Sequence, residues 1–169
     1  TAVSNIGIFI SSNTGNNFVR ANNVTVYGTT GNIGIELLGT AALPTEYNYV
    51  DSNSVFTSTN FTNNWGIYLV TNVNLNIISN NSILTNGTTT NYGIYLLGTT
   101  VPVNYNTISS NSVISTGSGA SNHGIYLLNN ANKNYVDNNS VNSSGTTTNY
   151  GIILTGSTDN IVNKNNFIF

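Results

Sequence analysis

The chain has 169 residues, which suits one domain, and only 5% of them are charged, against roughly 25% in ordinary soluble proteins. With a net charge of −2 and only three cations, the sequence predicts no basic surface patch that would bind nucleic acid or an acidic membrane. No apolar run approaches the roughly 20 residues of a membrane span. The absence of cysteine excludes a disulfide framework and a thiolate metal site.

Amides and hydroxyls supply the polarity that charges do not, with 35 Asn, 24 Thr and 18 Ser. Together with the β-branched and aromatic residues, this charge-poor composition favours stacked β structure. The sequence shows no initiator methionine and no secretion signal, so we expect a mature, processed or excised segment.

The first predicted strand of each repeat begins at the motif Asn-x-Gly-Ile, which occurs six times. Its glycines are spaced by 27, 32, 27, 31 and 27 residues and are Gly7, Gly34, Gly66, Gly93, Gly124 and Gly151. A period of this size predicts a solenoid in which each repeat is one coil and like segments stack about 4.8 Å apart. Because side chains alternate along a strand, the Ile and Leu of Gly-Ile-x-Leu are expected on one face.

Two further strands are predicted after each opening motif, each marked by an Asn that is followed two residues later by Val, Ile or Phe. The two Asn are five residues apart in every repeat, and most of the extra residues of the longer repeats fall in segments 39–47 and 98–104, which we predict to be loops. We therefore predict an all-β solenoid of about six coils with three short strands per coil. Residues 1–169 would form a single domain, as a filament subunit or as a segment of a longer solenoid.

Asparagine recurs at three corners of every predicted coil. Its side chain tolerates left-handed backbone geometry, can bond to its own backbone, and stacks on identical neighbours as a hydrogen-bonded ladder. Glycine after the first corner is expected where a Cβ would obstruct the chain. The predicted ladder residues are Asn5, Asn32, Asn64, Asn91, Asn122 and Asn149 in the first ladder; Asn17, Asn48, Asn76, Asn106, Asn134 and Asn160 in the second; and Asn22, Asn53, Asn81, Asn111, Asn139 and Asn165 in the third.

The pattern Gly-Ile-x-Leu followed by two Asn-x-Ile segments resembles the repeat of right-handed parallel β-helices. That repeat is seen in NosD-like surface proteins and in the pectate-lyase-like superfamily of carbohydrate-active enzymes. The resemblance covers essentially the whole chain and implies a right-handed parallel β-helix. Since the repeat is a scaffold motif, it implies little about activity.

Pectate-lyase-like enzymes typically use clustered carboxylates, often around calcium, with an Arg or Lys base, so the resemblance directs attention to the few charged residues. Pairs of opposite charge are expected on neighbouring coils for Arg20 with Asp51, Lys133 with Asp159, and Asp137 with Lys164. We interpret these as surface ion pairs, each contributing about 0–1 kcal/mol. Glu36 and Glu46 share a coil and would have to face each other to act as a glycosidase pair. We expect no catalytic, cofactor-binding or metal-binding residues and no enzymatic activity.

The chain has one histidine, His123, which we interpret as a packing residue. Its column contains only aliphatic and aromatic residues besides the histidine, namely Ile6, Ile33, Trp65, Tyr92 and Tyr150.

Aromatic residues occupy the x position of Gly-Ile-x-Leu, which is predicted to point outward. Tyr68, Tyr95 and Tyr126 lie there in consecutive coils and would form an exposed stripe. Such a stripe could stabilise the sheet by ring stacking, contact another protein, or bind a glycan. A second outward column comprises Phe18, Tyr49, Ile77, Thr107, Tyr135 and Ile161.

Sequons for N-glycosylation occur about as often as the composition predicts by chance, so they do not indicate selection for glycosylation. They remain acceptor sites if the protein is secreted. The sequon residues are Asn23, Asn60, Asn80, Asn86, Asn138 and Asn142.

The chain shows no sequence that would cap either end of the solenoid, and joining Thr1 of one copy to Phe169 of another nearly preserves the repeat spacing. We therefore expect a structural, extracellular or cell-surface solenoid that stacks head-to-tail into a filament or forms the shaft of a longer surface protein. The expected partner is a second copy, with no nucleic acid and no membrane insertion. The alternative is a carbohydrate-binding or carbohydrate-degrading β-helix that uses the tyrosine stripe.

Overall fold

The computed structural model describes residues 4–168, in which the strands pair in parallel and wind into a solenoid of six coils, as predicted. Thr1 and Phe169, on which the predicted junction between copies falls, lie outside the described residues. The described range contains no helix, and therefore none with the length and apolarity that crossing a membrane would need. The right-handed sense of the winding stays a prediction.

Within residues 4–168, twenty-one strands make up the six coils. In chain order they are β1 (Ile6–Ile10), β2 (Thr14–Gly15), β3 (Phe18–Arg20), β4 (Asn23–Tyr27), β5 (Asn32–Leu38), β6 (Thr45–Glu46), β7 (Tyr49–Asp51), β8 (Ser54–Ser58), β9 (Thr62–Val70), β10 (Val73–Asn74), β11 (Ile77–Ser79), β12 (Ser82–Gly87), β13 (Thr89–Leu97), β14 (Thr107–Ser109), β15 (Ser112–Gly117), β16 (His123–Leu128), β17 (Tyr135–Asp137), β18 (Ser140–Ser144), β19 (Ile152–Thr155), β20 (Ile161–Asn163) and β21 (Asn166–Ile168).

The strands form four sheets that run along the stack. Sheet A has the order β1-β5-β9-β13-β16-β19, sheet C the order β3-β7-β11-β14-β17-β20, and sheet D the order β4-β8-β12-β15-β18-β21. These three sheets correspond to the three strands predicted in each coil. Sheet B, with the order β2-β6-β10, was not predicted. The extra residues of the longer coils lie in irregular segments 39–44 and 98–106, which confirms the predicted loop at 98–104. The predicted loop at 39–47 is confirmed only in part, because Thr45–Glu46 forms strand β6.

Successive coils lie in register at the opening motif. Ile35 of sheet A pairs with Ile8 on one side and Ile67 on the other. The motif glycines follow in single file, because a Cβ added to any of the first five would lie 2.5–2.7 Å from the carbonyl oxygen of the next. None of these glycines has a positive φ. Glycine is therefore required at this corner for space and not for a left-handed conformation.

The interior is filled by aliphatic columns from sheets A, C and D. The columns are Ile8, Ile35, Ile67, Ile94, Ile125 and Ile152; Ile10, Leu37, Leu69, Leu96, Leu127 and Leu154; Val19, Val50, Ile78, Ile108, Val136 and Val162; and Val24, Val55, Ile83, Val113, Val141 and Phe167. In the inner coils their side chains are fully buried. Burial of each contributes about 1.5–3 kcal/mol, so these columns are the main source of stability.

Candidate functional site

Three asparagine ladders run without interruption through all six coils. In each ladder, Nδ2 of one Asn donates to Oδ1 of its counterpart in the next coil, at distances of 2.6–3.3 Å. All eighteen Asn predicted to form ladders take part, which confirms the prediction. Because most of these amides are buried, each would be costly to leave without a partner.

The hydrogen bonds of one inner residue show why asparagine suits this position. Oδ1 of Asn76 accepts from the backbone N–H and from Nδ2 of Asn48, at 2.9 and 3.0 Å. Nδ2 of Asn76 donates to Oδ1 of Asn106 at 3.0 Å and to the carbonyl oxygen of Asn74 at 2.8 Å. The last bond is the predicted bond to its own backbone. A side chain with both an acceptor and a two-hydrogen donor is needed to satisfy this corner.

The left-handed residue at a ladder corner is the one before the Asn, so the ladder residues do not use the left-handed geometry that asparagine tolerates. Tyr47, Leu75 and Lys133 precede second-ladder residues and have φ values of 56°, 57° and 56°. This preceding residue redirects the chain, and the Asn that follows directs its amide along the stack. Left-handed geometry costs roughly 1–2 kcal/mol in a residue with a Cβ, which the ladder bonds offset.

Only one of the three predicted ion pairs is present among residues 4–168. Arg20 Nε lies 3.1 Å from Asp51 Oδ2. Hydrogen bonds from Asn80 and Ser79, at 2.8 and 2.9 Å, are the main cause of the lowered pKa of Asp51.

The other two predicted pairs are wrong because neighbouring groups provide different partners. Lys133 Nζ lies 5.6 Å from the centre of the Tyr105 ring, a cation–π distance. Asp137 accepts a hydrogen bond of 2.8 Å from Asn163.

The second outward column is present on sheet C. Its rings stack at the first two coils, where the Phe18 and Tyr49 centroids lie 4.8 Å apart with planes inclined by 6°. Phe18 is 71% exposed, so the prediction of an outward column is confirmed here.

The outer face of sheet A holds a second apolar cluster, distinct from the interior. It includes Trp65, Tyr68, Tyr92, Tyr95, His123 and Tyr126, which we call the outer aromatic cluster. The tyrosines do stack, with the Tyr68 and Tyr95 centroids 4.9 Å apart. Tyr68 and Tyr95 are only 7% and 6% exposed, however, and Tyr126 is half-buried.

The predicted exposed tyrosine stripe is therefore wrong at Tyr68 and Tyr95. Trp65 lies against Tyr68 with centroids 4.7 Å apart, and Tyr92 lies against Tyr95 at 5.0 Å. Aliphatic side chains such as Leu97 pack into the same cluster. Trp65 and Tyr92, on the same face of sheet A, thus cover the column that contains Tyr68 and Tyr95.

His123 is a packing residue, as predicted. Its ring stacks on Tyr92 with centroids 5.2 Å apart, and its Nδ1 accepts a hydrogen bond of 3.3 Å from the backbone N–H of Tyr150. Burial lowers the pKa of His123 to about 4.

Two polar groups on the same face lack protein partners among residues 4–168. Glu36 is 8% exposed and lies opposite Tyr68 in the strand register, and its carboxyl has no hydrogen bond or ion pair. Nε1 of Trp65 is buried and has no acceptor. Sequence reasoning missed both groups, since nothing in a single repeat shows what surrounds them.

Glu36 and Glu46 do not form the facing pair considered above. Glu36 lies on β5 of sheet A and Glu46 on β6 of sheet B. Among the described residues, no group of three His, Asp or Glu side chains is placed to hold a metal ion.

Burial raises the pKa of the Glu36 carboxyl, which gives a testable pH dependence. A raised pKa means that the folded state binds this proton more tightly than the unfolded state. Its contribution to stability is therefore greatest below the ordinary pKa of 4.5 and declines as the pH rises through the raised value. We expect Glu36→Gln to raise Tm at pH 7 and to have little effect at pH 4. Thermal unfolding followed by circular dichroism at both pH values measures this. Glu46→Gln is the control, and an equal effect of Glu36→Gln at both values would contradict the prediction.

Five of the six sequon residues are exposed, and Asn142 is half-buried. Glycosylation at these sites stays a prediction.

Comparison with known proteins finds no matching protein-family model, no matching curated protein and no matching solved structure. The likeness to NosD-like and pectate-lyase-like repeats thus remains a resemblance of repeat and fold.

Proposed function

We propose that this chain is a structural element of an extracellular or cell-surface rod, in which coils stack end to end. The rod is either a filament of copies or the shaft of a longer surface protein. The observation that carries the proposal is that all three asparagine ladders run through every coil without a break. The role is mechanical, without catalysis or cofactor.

The arrangement of hydrogen bonds suits a rod under tension. The backbone bonds of the parallel sheets and the side-chain bonds of the ladders join each coil to the next, so both sets lie along the stack. A pull along the stack must break several of these bonds together in order to separate two coils.

The surface chemistry supports a location outside the cell. The surface polarity comes from amides and hydroxyls, with 5% charged residues and no cysteine. The stability of the chain therefore depends little on ionic strength or on the redox state of its surroundings.

Sedimentation velocity and negative-stain electron microscopy of the purified chain over a wide concentration range test the proposal. We expect unbranched rods of constant width whose length grows with concentration. Particles of one fixed size at every concentration would overturn stacking between copies.

A glycan-binding role is the second candidate, and the partnerless Glu36 carboxyl on the outer face of sheet A favours it. Sugar hydroxyls donate hydrogen bonds, so a sugar could satisfy the Glu36 carboxylate while it stacks on the neighbouring aromatic rings. Half-buried Trp65 and Tyr126 would supply the contact surface in place of the covered stripe.

Trp65 is the only tryptophan of the chain, so its fluorescence reports directly on this face. We expect polysaccharide titration to shift the emission in wild type and in the control Tyr27→Ala, which alters an exposed ring on sheet D. The shift should be lost in Glu36→Gln and Tyr126→Ala. No shift with any polysaccharide in wild type would remove this candidate.

A further inference from the structure

The carboxyl of Glu36 lies among apolar side chains on the outer face of sheet A. In the strand register it stands between Phe9 of coil one and Tyr68 of coil three. Trp65 packs against Tyr68 with ring centroids 4.7 Å apart, and Ile33, from the same strand as Glu36, belongs to the same apolar cluster. Because so little of Glu36 is exposed, its carboxylate has lost much of its hydration.

The carboxylate oxygens of Glu36 nevertheless remain within reach of a ligand. Nε1 of Trp65 is completely covered, whereas neither carboxylate oxygen of Glu36 is. Burial raises the pKa of this carboxyl, as expected of an acid without a positive partner. A ligand that brings a positive charge to these oxygens would therefore compensate the ionised carboxylate.

The cations of the chain lie elsewhere and do not supply that charge. Arg20 pairs with Asp51 on sheet C, Lys133 lies over the Tyr105 ring, and Lys164 lies between β20 and β21. Within residues 4–168, no Lys or Arg lies on a strand of sheet A. The positive charge that suits this carboxylate must therefore come from outside the chain.

An organic ammonium group suits this position better than a metal ion or a neutral hydroxyl. Ca²⁺ takes about six to eight oxygen ligands, and the described residues place no three His, Asp or Glu side chains together. An ammonium group needs only one carboxylate, and it is attracted to the faces of neighbouring aromatic rings. A sugar hydroxyl donates a hydrogen bond but brings no charge, so it compensates the carboxylate less.

Half-buried aromatic rings continue from Glu36 along the stack. Trp65, Tyr92 and Tyr126 lie on coils three, four and five. With a step of about 4.8 Å per coil, Tyr126 lies about 14 Å along the stack from Glu36. A short extended oligosaccharide has this length, and the faces of its sugar rings can pack on aromatic side chains.

We propose that this face binds a glycan that carries free amino groups, with one ammonium group at the Glu36 carboxylate and the sugar rings on Trp65, Tyr92 and Tyr126. The inference rests on the glycan-binding candidate of the proposed function and adds the class of sugar. It does not depend on whether copies of the chain stack into rods.

Isothermal titration calorimetry with two matched probes tests the charge of the ligand. Oligomers of glucosamine and of N-acetylglucosamine, with the same linkage and length, differ in whether the nitrogen is an ammonium or a neutral amide. At about pH 6 the glucosamine amines are largely protonated. We expect wild type to bind the glucosamine oligomer more tightly than the acetylated one by about tenfold or more. An oligolysine of the same charge should bind more weakly than the glucosamine oligomer, because it has no sugar rings to stack.

Three variants locate the preference on this face. Glu36→Gln should bind the two sugar oligomers equally weakly, because the amide keeps the shape of the side chain and removes its charge. Glu46→Gln makes the same change on sheet B and should keep the preference. Tyr126→Ala should weaken the binding of both oligomers and leave their ratio unchanged, since it removes a stacking ring and no charge.

The outcomes separate this inference from the glycan-binding candidate. Equal affinity of wild type for both sugar oligomers would overturn the inference and leave glycan binding standing. An equal loss of preference in Glu36→Gln and Glu46→Gln would show that net charge, and not this site, attracts the ligand, and would overturn the inference. Oligolysine that binds as tightly as the glucosamine oligomer would overturn the sugar as the ligand. Absence of binding to either sugar oligomer would overturn the candidate and the inference together.

Discussion

Replacing Asn81 by alanine is expected to lower the free energy of unfolding by about 3–5 kcal/mol, a large fraction of the stability of a domain of this size. Oδ1 of Asn81 accepts two bonds from Asn53, at 3.0 and 2.9 Å, and Nδ2 donates to the carbonyl of Val50 and to Oδ1 of Asn111, both at 2.9 Å. Alanine removes all four bonds and leaves the backbone N–H of Asn53 buried without an acceptor, while Nδ2 of Asn53 keeps only its bond to the carbonyl of Val19. Urea unfolding of wild type and variant measures the difference.

The matched control is Asn86→Ala, in the same coil. Asn86 is exposed, and its side chain makes only a 3.4 Å contact with Thr116. We expect a change within about 0.5 kcal/mol. Similar losses for Asn81→Ala and Asn86→Ala would show that the ladder contributes no more than surface polarity does.

Replacing Gly93 by alanine is expected to cost about 3 kcal/mol or more, because the added methyl has no space on either side. The Cβ would lie 2.1 Å from Cγ1 of Val113 and 2.7 Å from the carbonyl oxygen of Gly124. The first contact involves a packed side chain and the second the backbone of the next coil, so relief requires strands β13 and β16 to separate. Thermal and urea unfolding measure the loss.

Ser112→Thr is the control, since it adds a methyl group at an exposed position of sheet D. A double-mutant cycle with Val113→Ala identifies the clash, because that change removes the Cγ1 atom. We expect the two substitutions to be less costly together than the sum of their separate effects. Additive losses would contradict the proposed close contact.

The register of the coils was predictable because the corner of every coil has the same requirements for hydrogen-bond partners and for space. Equivalents of Gly93 and Asn81 recur once in every coil, since the restricted space beside Val113 and the bonds to Asn53 and Asn111 have counterparts in each coil. Where every coil poses the same local requirement, periodicity in the sequence reports the structure directly.

The features that were predicted wrongly depend on neighbours from more than one repeat. Tyr95 was expected to be exposed because alternation places it on the outer face, but alternation does not show that Trp65 and Tyr92 cover it. Lys133 aligns with Asp159 in the repeat, yet its ammonium lies over the Tyr105 ring. A flexible side chain can reach several partners, so its position in the repeat does not determine which of them it contacts.

Two features of the backbone could also not be predicted from the repeat pattern. The left-handed corner is occupied by residues as different as Leu75 and Lys133, so no residue type marks it. The strands of sheet B are two residues long, too short for alternation to be visible.

Electron cryo-microscopy of the concentrated wild-type chain tests the central claim most directly, because it measures the axial spacing of the stack. Continued stacking in register predicts rods with an axial repeat of about 4.8 Å, and a longer repeat of about 29 Å where six-coil copies follow one another. Particles or fibres without the 4.8 Å axial repeat would contradict it.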